Sequence, residues 1–340
     1  MIQLAIVGVG WAGSRHITAI GELGEKVQVS CLVDNDADFL REKSSEFAVE
    51  KTFADLDEAL ADPDVDAVDI CSPHHLHCEQ AIAAAEAGKH VLVEKPMAQT
   101  VEEATRMIDA AQKNAVKLYV AESAVYTPMA QTLREIVQSG KYIGEVVSAS
   151  FAGGFRAPNF GYPGRREWLT LPDAGGTGTW TLHGIHSMAQ LRFILGEVES
   201  VYMREFHAQS FERSDLEGTM SGMLAMEKGF QTLVVQTCEV SLKDTLGGYE
   251  IRGDAGVIKA NAQAFHVFPA QDKPFSHQYP PSSLSEYALE LAAFADYVVD
   301  GQAGPTDAVS ERRSLAIVQA GYESAENGLP VNLKERFGDL

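Results

Sequence analysis

The stretch that decides the fold is IQLAIVGVGWAGSRHITAIGEL, residues 2–23. Its first six residues are almost all apolar, which is typical of a strand buried on both faces of a parallel sheet. Gly8 then permits a tight turn, Gly10 lets the backbone approach a pyrophosphate, and Gly13 allows a helix to pack closely on the strand. The stretch therefore predicts a strand, a phosphate-binding turn and a helix whose N-terminus faces the phosphates. The candidate cofactor-binding residues of this turn are Gly8, Gly10, Trp11, Ala12 and Gly13.

Apolar runs and helical runs alternate from the N-terminus to about residue 122. Short apolar runs separated by helical stretches predict parallel strands joined by crossover helices. Residues 1–122 are therefore predicted to form a doubly wound α/β domain. Its predicted strands after the first are VQVSCLV (27–33), DAVDI (66–70), HVLVE (90–94) and KLYVA (117–121).

Beyond residue 122 the pattern changes to strand-like runs with turn signals. One predicted helix at 128–139 precedes these runs, and two helical runs close the chain. Strand-like runs without intervening helices predict a mostly antiparallel open sheet, so residues 123–340 are predicted to form an α+β domain. The segment DKPFSHQYPPSSLS (272–285) has the composition of a loop and is predicted to lie on the surface as one.

The composition argues against several classes of function. The 340 residues are 45% hydrophobic, which is enough to bury a core in each of two domains. With 48 acidic and 27 basic side chains the formal charge is -21, whereas nucleic-acid and anionic-membrane surfaces need clustered Lys and Arg. No apolar run reaches the roughly 18 residues of a membrane span. Four scattered cysteines, and an N-terminus without a signal-peptide pattern, predict a cytoplasmic protein with small-molecule partners.

Asp34 follows the second predicted strand, 24 residues after Gly10. Dinucleotide-binding sequences carry the acid that binds the adenosine ribose at about this distance. A carboxylate there accepts hydrogen bonds from the ribose hydroxyls and repels a 2′-phosphate. The position therefore favours NAD over NADP, and its alternative interpretation is an ordinary turn with a solvated aspartate.

The loop CSPHHLHCE, residues 71–79, places three histidines within four positions after the predicted strand at 66–70. Zinc is one interpretation, but these histidines lack a distant fourth ligand and a recognised metal spacing, so we predict no bound metal. The loop lies at the carboxyl end of a parallel strand, where open α/β sheets bind their ligands. Contact with the cofactor is therefore favoured, and the candidate residues are Ser72, Pro73, His74 and His77.

Two further stretches carry side chains suited to acid-base chemistry. Glu94 and Lys95 end HVLVEK at the same edge of the sheet, where a partly desolvated lysine can donate to a substrate oxygen and ease removal of its proton. In WTLHGIHSMAQLRFILG, residues 180–196, His183 and His186 are three apart, which places both imidazoles on one helix face. The alternative for the two histidines is packing in a core.

Four blocks of the sequence occur in the order of one known family. They are GVGWAG, SPHHLHCEQAIAAAEAGKHVLVEKPMAQTVEEA, GGTGTWTLHGIHSMAQLRFILG and YESAENGLPVNL. Through them nearly the whole chain resembles the glucose-fructose oxidoreductase, inositol dehydrogenase and rhizopine-catabolism (Gfo/Idh/MocA) family. The resemblance implies an NAD(P)-dependent oxidoreductase with an N-terminal Rossmann domain, residues 1–122. It also implies that residues 123–340 bind substrate and form a homodimer or homotetramer through their open sheet.

The resemblance also implies roles for particular residues. Lys95 matches the family's active-site lysine and, with Glu94, is a candidate for cofactor contact. His186 matches the histidine of the family's Asp-x-Gly-x-His pattern, which makes it the candidate proton acceptor. The aspartate position is Leu182 in this chain, and on an α-helix this residue lies about 40° from His186, with His183 about 60° away on the other side. His183 is therefore the candidate substitute for the missing acid.

The predicted substrate contacts come from several segments of the second half. Relatives often carry an arginine beside the position of Tyr126, which is flanked here by Val125 and Thr127. Trp168 is the favoured contact, because an aromatic face packs well on the apolar face of a sugar or a cyclic diol. The candidate substrate-binding residues are Tyr126, Tyr162, Arg166, Trp168 and His183.

Together these features predict a dehydrogenase that moves a hydride between a nicotinamide and a hydroxyl-bearing carbon of a sugar, an inositol or a cyclic diol. His186 is the predicted base, and Lys95 is predicted to polarise the substrate oxygen. The alternative function is a dinucleotide-binding sensor or regulator without turnover, and the leucine at position 182 is the feature that prompts it.

Overall fold

The first sheet is built around β1 (Ile2–Val7), a central strand with side chains buried on both faces. The computed structural model describes residues 1–156, 167–170, 178–207, 216–242 and 247–340. Five strands run parallel to β1, namely β2 (Val27–Val33), β3 (Thr52–Phe53), β4 (Ala67–Ile70), β5 (His90–Glu94) and β6 (Leu118–Ala121). The order across the sheet is β3-β2-β1-β4-β5-β6. Because this order reverses between β1 and β4, the carboxyl ends of these two strands flank the crevice in which such sheets bind ligands.

Helices connect these strands, and side-chain caps set where several of them begin. The carboxylate of Asp36 accepts hydrogen bonds from the first-turn N–H groups of one helix, and the hydroxyl of Thr100 caps another. The helices are α1 (Trp11–Ile20), α2 (Ala37–Phe47), α3 (Leu56–Leu60), α4 (His77–Glu86) and α5 (Val101–Lys113). This alternation confirms the predicted doubly wound α/β domain.

The second sheet has nine strands in the described part of the chain. They are β7 (Val146–Gly154), β8 (Val198–His207), β9 (Glu217–Met226), β10 (Gln231–Thr237), β11 (Gly248–Gly253), β12 (Gly256–Ala260), β13 (Ala264–Pro269), β14 (Phe275–Gln278) and β15 (Val331–Asn332). Their order is β14-β13-β12-β11-β7-β10-β9-β8-β15, and only β7 and β10 are parallel neighbours among these described strands. The predicted mostly antiparallel open sheet is confirmed.

Four helices accompany this sheet: α6 (Pro128–Ser139), α7 (Ile185–Leu195), α9 (Ala308–Asn327) and α10 (Leu333–Phe337). Apolar side chains of α6, α7 and α9 pack with the inner face of the sheet in one hydrophobic core. Among the helices that the structure describes, none has both the length and the hydrophobicity needed to cross a membrane.

The segment 272–285 is not a loop throughout. Residues Phe275–Gln278 form the edge strand β14, which pairs antiparallel with β13. The ring of Phe275 packs against the ring of Tyr142, with 5.1 Å between the centroids. The loop prediction is therefore wrong for these four residues. The prolines on both sides misled it, because proline is typical of loops but is also tolerated at the ends of an edge strand.

The chain divides into two compact units that do not follow the predicted boundaries throughout. The first unit contains residues 1–123, 167–170 and 284–312, and the second contains the described residues of 124–156 and 178–283 together with 313–340. Helix α8 (Glu286–Asp300) belongs to the first unit because its apolar face lies in one core with β1 and β2. The assignment of every residue after 122 to the second domain is therefore corrected for 123, 167–170 and 284–312.

Candidate functional site

The glycine turn after β1 has the geometry that a bound pyrophosphate needs. Gly8 has a φ of +86°, and a Cβ atom there would lie 2.8 Å from the carbonyl oxygen of Cys71. A Cβ atom on Gly13 would lie 2.3 Å from the carbonyl oxygen of Gly8, so α1 approaches the turn as closely as two backbones allow. Gly10 is the N-cap of α1 and has no side chain with which to cap the first turn. These residues therefore fit a pyrophosphate at the helix N-terminus.

Asp34 lies directly after β2 and is tied to this turn. Its Oδ2 accepts a hydrogen bond from the N–H of Val9 at 3.3 Å, and its Oδ1 accepts one from the N–H of Asp36 at 3.0 Å. Backbone donors thus hold the carboxylate at the edge of the sheet where the glycine turn lies. Trp11 and Ala12, which share the predicted site, are the half-buried first residues of α1.

The side chain of His77 braces the loop after β4. It is completely buried, with Nδ1 3.0 Å from the carbonyl oxygen of Pro96 and Nε2 2.8 Å from the carbonyl oxygen of Ser72. Burial lowers the pKa of His77. The two carbonyl groups raise it, because they favour the charged imidazole, but the effect of burial is larger. His77 therefore joins this loop to the segment after β5. No part of the imidazole reaches the surface, and contact between His77 and the cofactor stays a prediction.

His74 and Trp168 pack together within the first unit. Their ring centroids are 4.6 Å apart in an edge-on arrangement, which places a predicted substrate residue beside a predicted cofactor residue. His74 is buried, whereas the indole is half-buried. Of the other predicted cofactor residues, Pro73 is half-buried, and Ser72 is buried with its hydroxyl donating a hydrogen bond to Gln80 at 2.6 Å. Of the other predicted substrate residues, Tyr126 is buried, with 8% of its surface exposed. Tyr162 and Arg166 lie outside the described residues.

A different trio has the spacing of metal ligands. In the described part of the chain, the one group of three such side chains close enough to share an ion is His16, Asp69 and Cys71, rather than the histidines of the 71–79 loop. However, the Nδ1 atom of His16 lies 2.8 Å from Oδ2 of Asp69, which is the distance of a hydrogen bond. The absence of a bound metal therefore remains a prediction.

Glu94 and Lys95 stand at the carboxyl end of β5, and both are half-buried. The Oε2 atom of Glu94 accepts a hydrogen bond from the backbone N–H of Lys95 at 2.9 Å, so the carboxylate lies against the backbone of the next residue. The glycine turn, Asp34, the loop after β4 and this segment all follow the carboxyl ends of parallel strands. The structure therefore brings the predicted cofactor residues to one edge of the first sheet.

The histidines of the second unit lie on an irregular helix. Residues Trp180–Gly184 form a π-helical turn, and α7 continues from it. The angles expected between Leu182, His183 and His186 are therefore wrong, because they assumed an α-helix throughout, whereas a π turn holds more residues. Both imidazoles are half-buried, and the ring centroid of His183 lies 5.5 Å from that of Phe155.

Trp180 anchors this turn through tight packing. Its side chain is fully buried, and its Nε1 donates a hydrogen bond to the carbonyl oxygen of Val318 at 3.0 Å. A Cβ atom on Gly184 would lie 2.6 Å from the indole, and one on Gly321 would lie 2.5 Å from it. The indole is therefore held against two glycine backbones, and only glycine at these positions leaves room for it.

Glu217 and Tyr322 hold the N-terminus of the same turn, and no pattern in the sequence predicts this pair. Oε1 of Glu217 accepts hydrogen bonds from the N–H of Trp180 and from the hydroxyl of Tyr322, both at 2.8 Å. The Tyr322 hydroxyl lies 3.1 Å from Oγ1 of Thr181. Burial raises the pKa of Glu217. Tyr322 stands in the block YESAENGLPVNL, but nothing in that pattern identifies its partner on β9.

The sequence matches two family descriptions. Residues 2–122 match the oxidoreductase family with an NAD-binding Rossmann fold, and residues 130–259 match the GFO/IDH/MocA C-terminal domain. The chain is 28% identical to 1,5-anhydro-D-fructose reductase of Ensifer adhaerens, over 82% of this chain and 84% of the relative. It is 25% identical to D-xylose 1-dehydrogenase (NADP(+)) 2 of Haloferax volcanii, over 98% of this chain and 100% of the relative.

A solved structure of levoglucosan dehydrogenase, in complex with NADH and levoglucosan, has the same fold. Its TM-score to this chain is 0.86, and the match covers 98% of this chain and 99% of that one. The two sequences are 22% identical.

Replacing Gly13 with alanine is expected to destabilise the first unit and to weaken NADH binding, because the added methyl overlaps the Gly8 carbonyl. Thermal unfolding should show a loss of about 1–3 kcal/mol, the usual cost of overpacking. Gly21→Ala is the control, since its Cβ atom would lie no closer than 3.1 Å to its neighbour. A Gly13→Ala protein that unfolds and binds NADH like the wild type would contradict the close approach of α1.

Proposed function

The chain belongs to the Gfo/Idh/MocA family of oxidoreductases, and we propose that it moves a hydride between NAD and a hydroxyl-bearing carbon of a sugar, an inositol or a cyclic diol. The observation that carries the proposal is the glycine turn, with its close backbone approach and the glycine at the helix N-cap. The names of relatives described above include sugars, which supports this substrate class. Since these relatives are named as a reductase and a dehydrogenase, they give no support to a sensor without turnover.

Acid-base chemistry is assigned to three side chains of the protein. NAD, when bound, supplies the acceptor for the hydride. Lys95 donates a hydrogen bond to the substrate oxygen and thereby lowers the cost of removing its proton, and His186 accepts that proton. His183 provides the second polar group in place of the family's aspartate, because residue 182 is a buried leucine.

NAD is the proposed cofactor because of the position of Asp34. Its carboxylate is fixed by the N–H groups of Val9 and Asp36 beside the glycine turn, where it accepts ribose hydroxyls and repels a 2′-phosphate. The argument rests on this chain's own residues, since one relative is named as an NADP(+) enzyme. For the substrate, the half-buried indole of Trp168 offers an aromatic face to the apolar face of a sugar ring or a cyclic diol.

The outer face of the second sheet is the proposed contact with a second copy of the chain. On β10 the side chains of Leu233 and Val235 are 57% and 37% exposed, and Leu233 pairs with the exposed Met223 of β9. The residues beside them on β7 are the small Ser150 and Ala152. An apolar face lined by small residues suits packing on its own copy, which gives a homodimer or, through further contacts, a homotetramer.

The cytoplasm is the proposed location, because all four cysteines are free thiols. The formal charge of -21 supports small-molecule rather than nucleic-acid or membrane partners.

Replacing Asp34 with asparagine is expected to narrow the difference between NADH and NADPH affinity. The wild type should bind NADH at least about tenfold more tightly, and the variant should lose that repulsion without gaining a cation for the phosphate. Fluorescence titration with both cofactors measures the change. Asp38→Asn, whose side chain is 87% exposed on α2, is the matched control. Tighter binding of NADPH by the wild type would contradict the assignment.

Replacing His186 with alanine is expected to lower kcat by about 100-fold while NADH affinity stays unchanged, because the cofactor residues lie in the other unit. His183→Ala should raise KM and lower kcat together if it serves as the second polar group. Steady-state kinetics on a polyol that the wild type oxidises measures both effects. His207→Ala, at an exposed site on β8, is the control. Full activity of His186→Ala would remove His186 from the mechanism.

Replacing Leu233 with lysine is expected to dissociate the oligomer, because a charge would be buried in the proposed contact. Light scattering after gel filtration measures the mass. Leu329→Lys places the same change at a position 65% exposed and should leave the mass unchanged. An unaltered mass for Leu233→Lys, or a monomeric wild type, would refute this interface.

A further inference from the structure

A buried histidine lies beneath the cofactor edge of the first sheet. His16 is on α1, three residues after Gly13, and its side chain is completely buried. Its Nδ1 atom lies 2.8 Å from Oδ2 of Asp69 on β4. Its Nε2 atom lies 3.5 Å from Oε1 of Glu94 and 3.5 Å from Oε1 of Glu290 on α8. One imidazole therefore faces carboxyl groups from three different elements.

The proton positions follow from the chemistry of these partners. An ionised carboxylate can only accept a hydrogen bond, so Nδ1 must carry a proton toward Asp69. A neutral imidazole would then turn a bare lone pair from Nε2 toward the carboxylate of Glu94, which is electrostatically unfavourable. Burial is the largest single effect and opposes the charged ring, but the charges and hydrogen bonds of Asp69 and Cys71 together outweigh it, and the pKa of His16 is raised well above its ordinary value. The geometry and the charge both indicate an imidazolium.

The His16 imidazolium carries one positive charge, which cannot neutralise all of the acidic side chains around it. The titratable groups that face this cluster are Asp69, Cys71, Glu94, Glu122, Tyr287 and Glu290. Glu290 is 1% exposed, and neither of its carboxyl oxygens has a hydrogen bond within the described part of the chain. Burial, reinforced by the neighbouring carboxylates, raises the pKa of Glu290 well above its ordinary value. Glu290 therefore holds its proton, and the ionised carboxylate beside Nε2 is that of Glu94, which is 13% exposed and forms an ion pair with Nε2 at 3.5 Å without a hydrogen bond.

We propose that His16 is a positioning residue for Lys95, acting as a buried imidazolium that holds the carboxylate of Glu94 against the backbone N–H of Lys95. Oε1 of Glu94 faces His16, while Oε2 accepts the Lys95 N–H at 2.9 Å. The same imidazole is fixed to β4 by Asp69 and stands on the helix whose N-terminus fits the pyrophosphate. His16 thereby links the glycine turn, where the phosphates are expected, to the backbone at Lys95. Only the role of Lys95 in turnover rests on the proposed function.

NMR of the protein labelled in its histidine rings tests the protonation state without any substrate. The His16 signal, identified by its loss in His16→Gln, is expected to be that of a doubly protonated ring at neutral pH. Glu94→Gln should lower the proton affinity of His16 about tenfold or more, because it removes an ionised partner. Glu290→Gln should change that affinity less than about twofold, because glutamine has the shape of a neutral acid. A neutral His16 ring, or a larger effect from Glu290→Gln, would overturn the proposal.

The backbone N–H of Lys95 gives the second readout. Its proton signal should move in Glu94→Gln and His16→Gln, which both disturb the acceptor, but not in His90→Gln. That control removes a ring whose Nδ1 accepts the N–H of Lys117 on the same sheet. An unmoved Lys95 signal in Glu94→Gln and His16→Gln contradicts the positioning role, and if His16→Gln fails to fold, Glu94→Gln alone decides.

Turnover separates this proposal from the proposed function. On a substrate of the wild type, His16→Gln should lower kcat about tenfold with KM nearly unchanged, whereas Glu290→Gln and His90→Gln should stay near the wild type. An equal loss in His90→Gln would mean that the effect is general destabilisation and would contradict positioning. A wild type without turnover would refute the proposed function, and the NMR results would still decide the role of His16.

Discussion

The close contact between α1 and the turn after β1 is the constraint on which the first unit depends. A side chain on Gly13 would overlap the carbonyl oxygen of Gly8, and a side chain on Gly8 would overlap the backbone of Cys71. This packing points the N-terminus of α1 into the crevice at the reversal of strand order, where its first turn, with glycine at the N-cap, suits a phosphate. It also carries His16, one helical turn further on, into the interior. The phosphate site and the buried acids beneath Lys95 are thus two consequences of one backbone contact.

The parts of the fold that the sequence predicts are those set by local burial. β1, β2 and β5 appear as continuous apolar runs because both their faces are buried, and this pattern needs no knowledge of partners. The apolar face of α8 shows that the helix is buried but not against which sheet, so its place in the first unit could not be read from the pattern. The π turn at 180–184 was equally hidden, because the indole within it packs between the backbone of Gly184 and that of Gly321, which is far away in the sequence.

In the candidate site, too, some residues could be predicted from local sequence patterns and others could not. Gly8, Asp34 and Lys95 were predictable because each follows a strand at a spacing that the chemistry of a dinucleotide fixes. The bracing role of His77 was not predictable, since the two carbonyl groups that engage its ring come from separate loops. His16 and Glu290 come from opposite ends of the chain and meet only after folding. Buried polar partners of this kind leave no periodic signal.

The central claim is that the protein transfers a hydride between a polyol and NAD, and the ultraviolet absorbance of NADH tests it most directly. The purified protein is given saturating NAD together with each member of a panel of sugars, inositols and cyclic diols. The account predicts steady NADH formation with at least one panel member, and a much slower reaction when NADP replaces NAD. Tight binding of NAD without NADH formation on any panel member would contradict it.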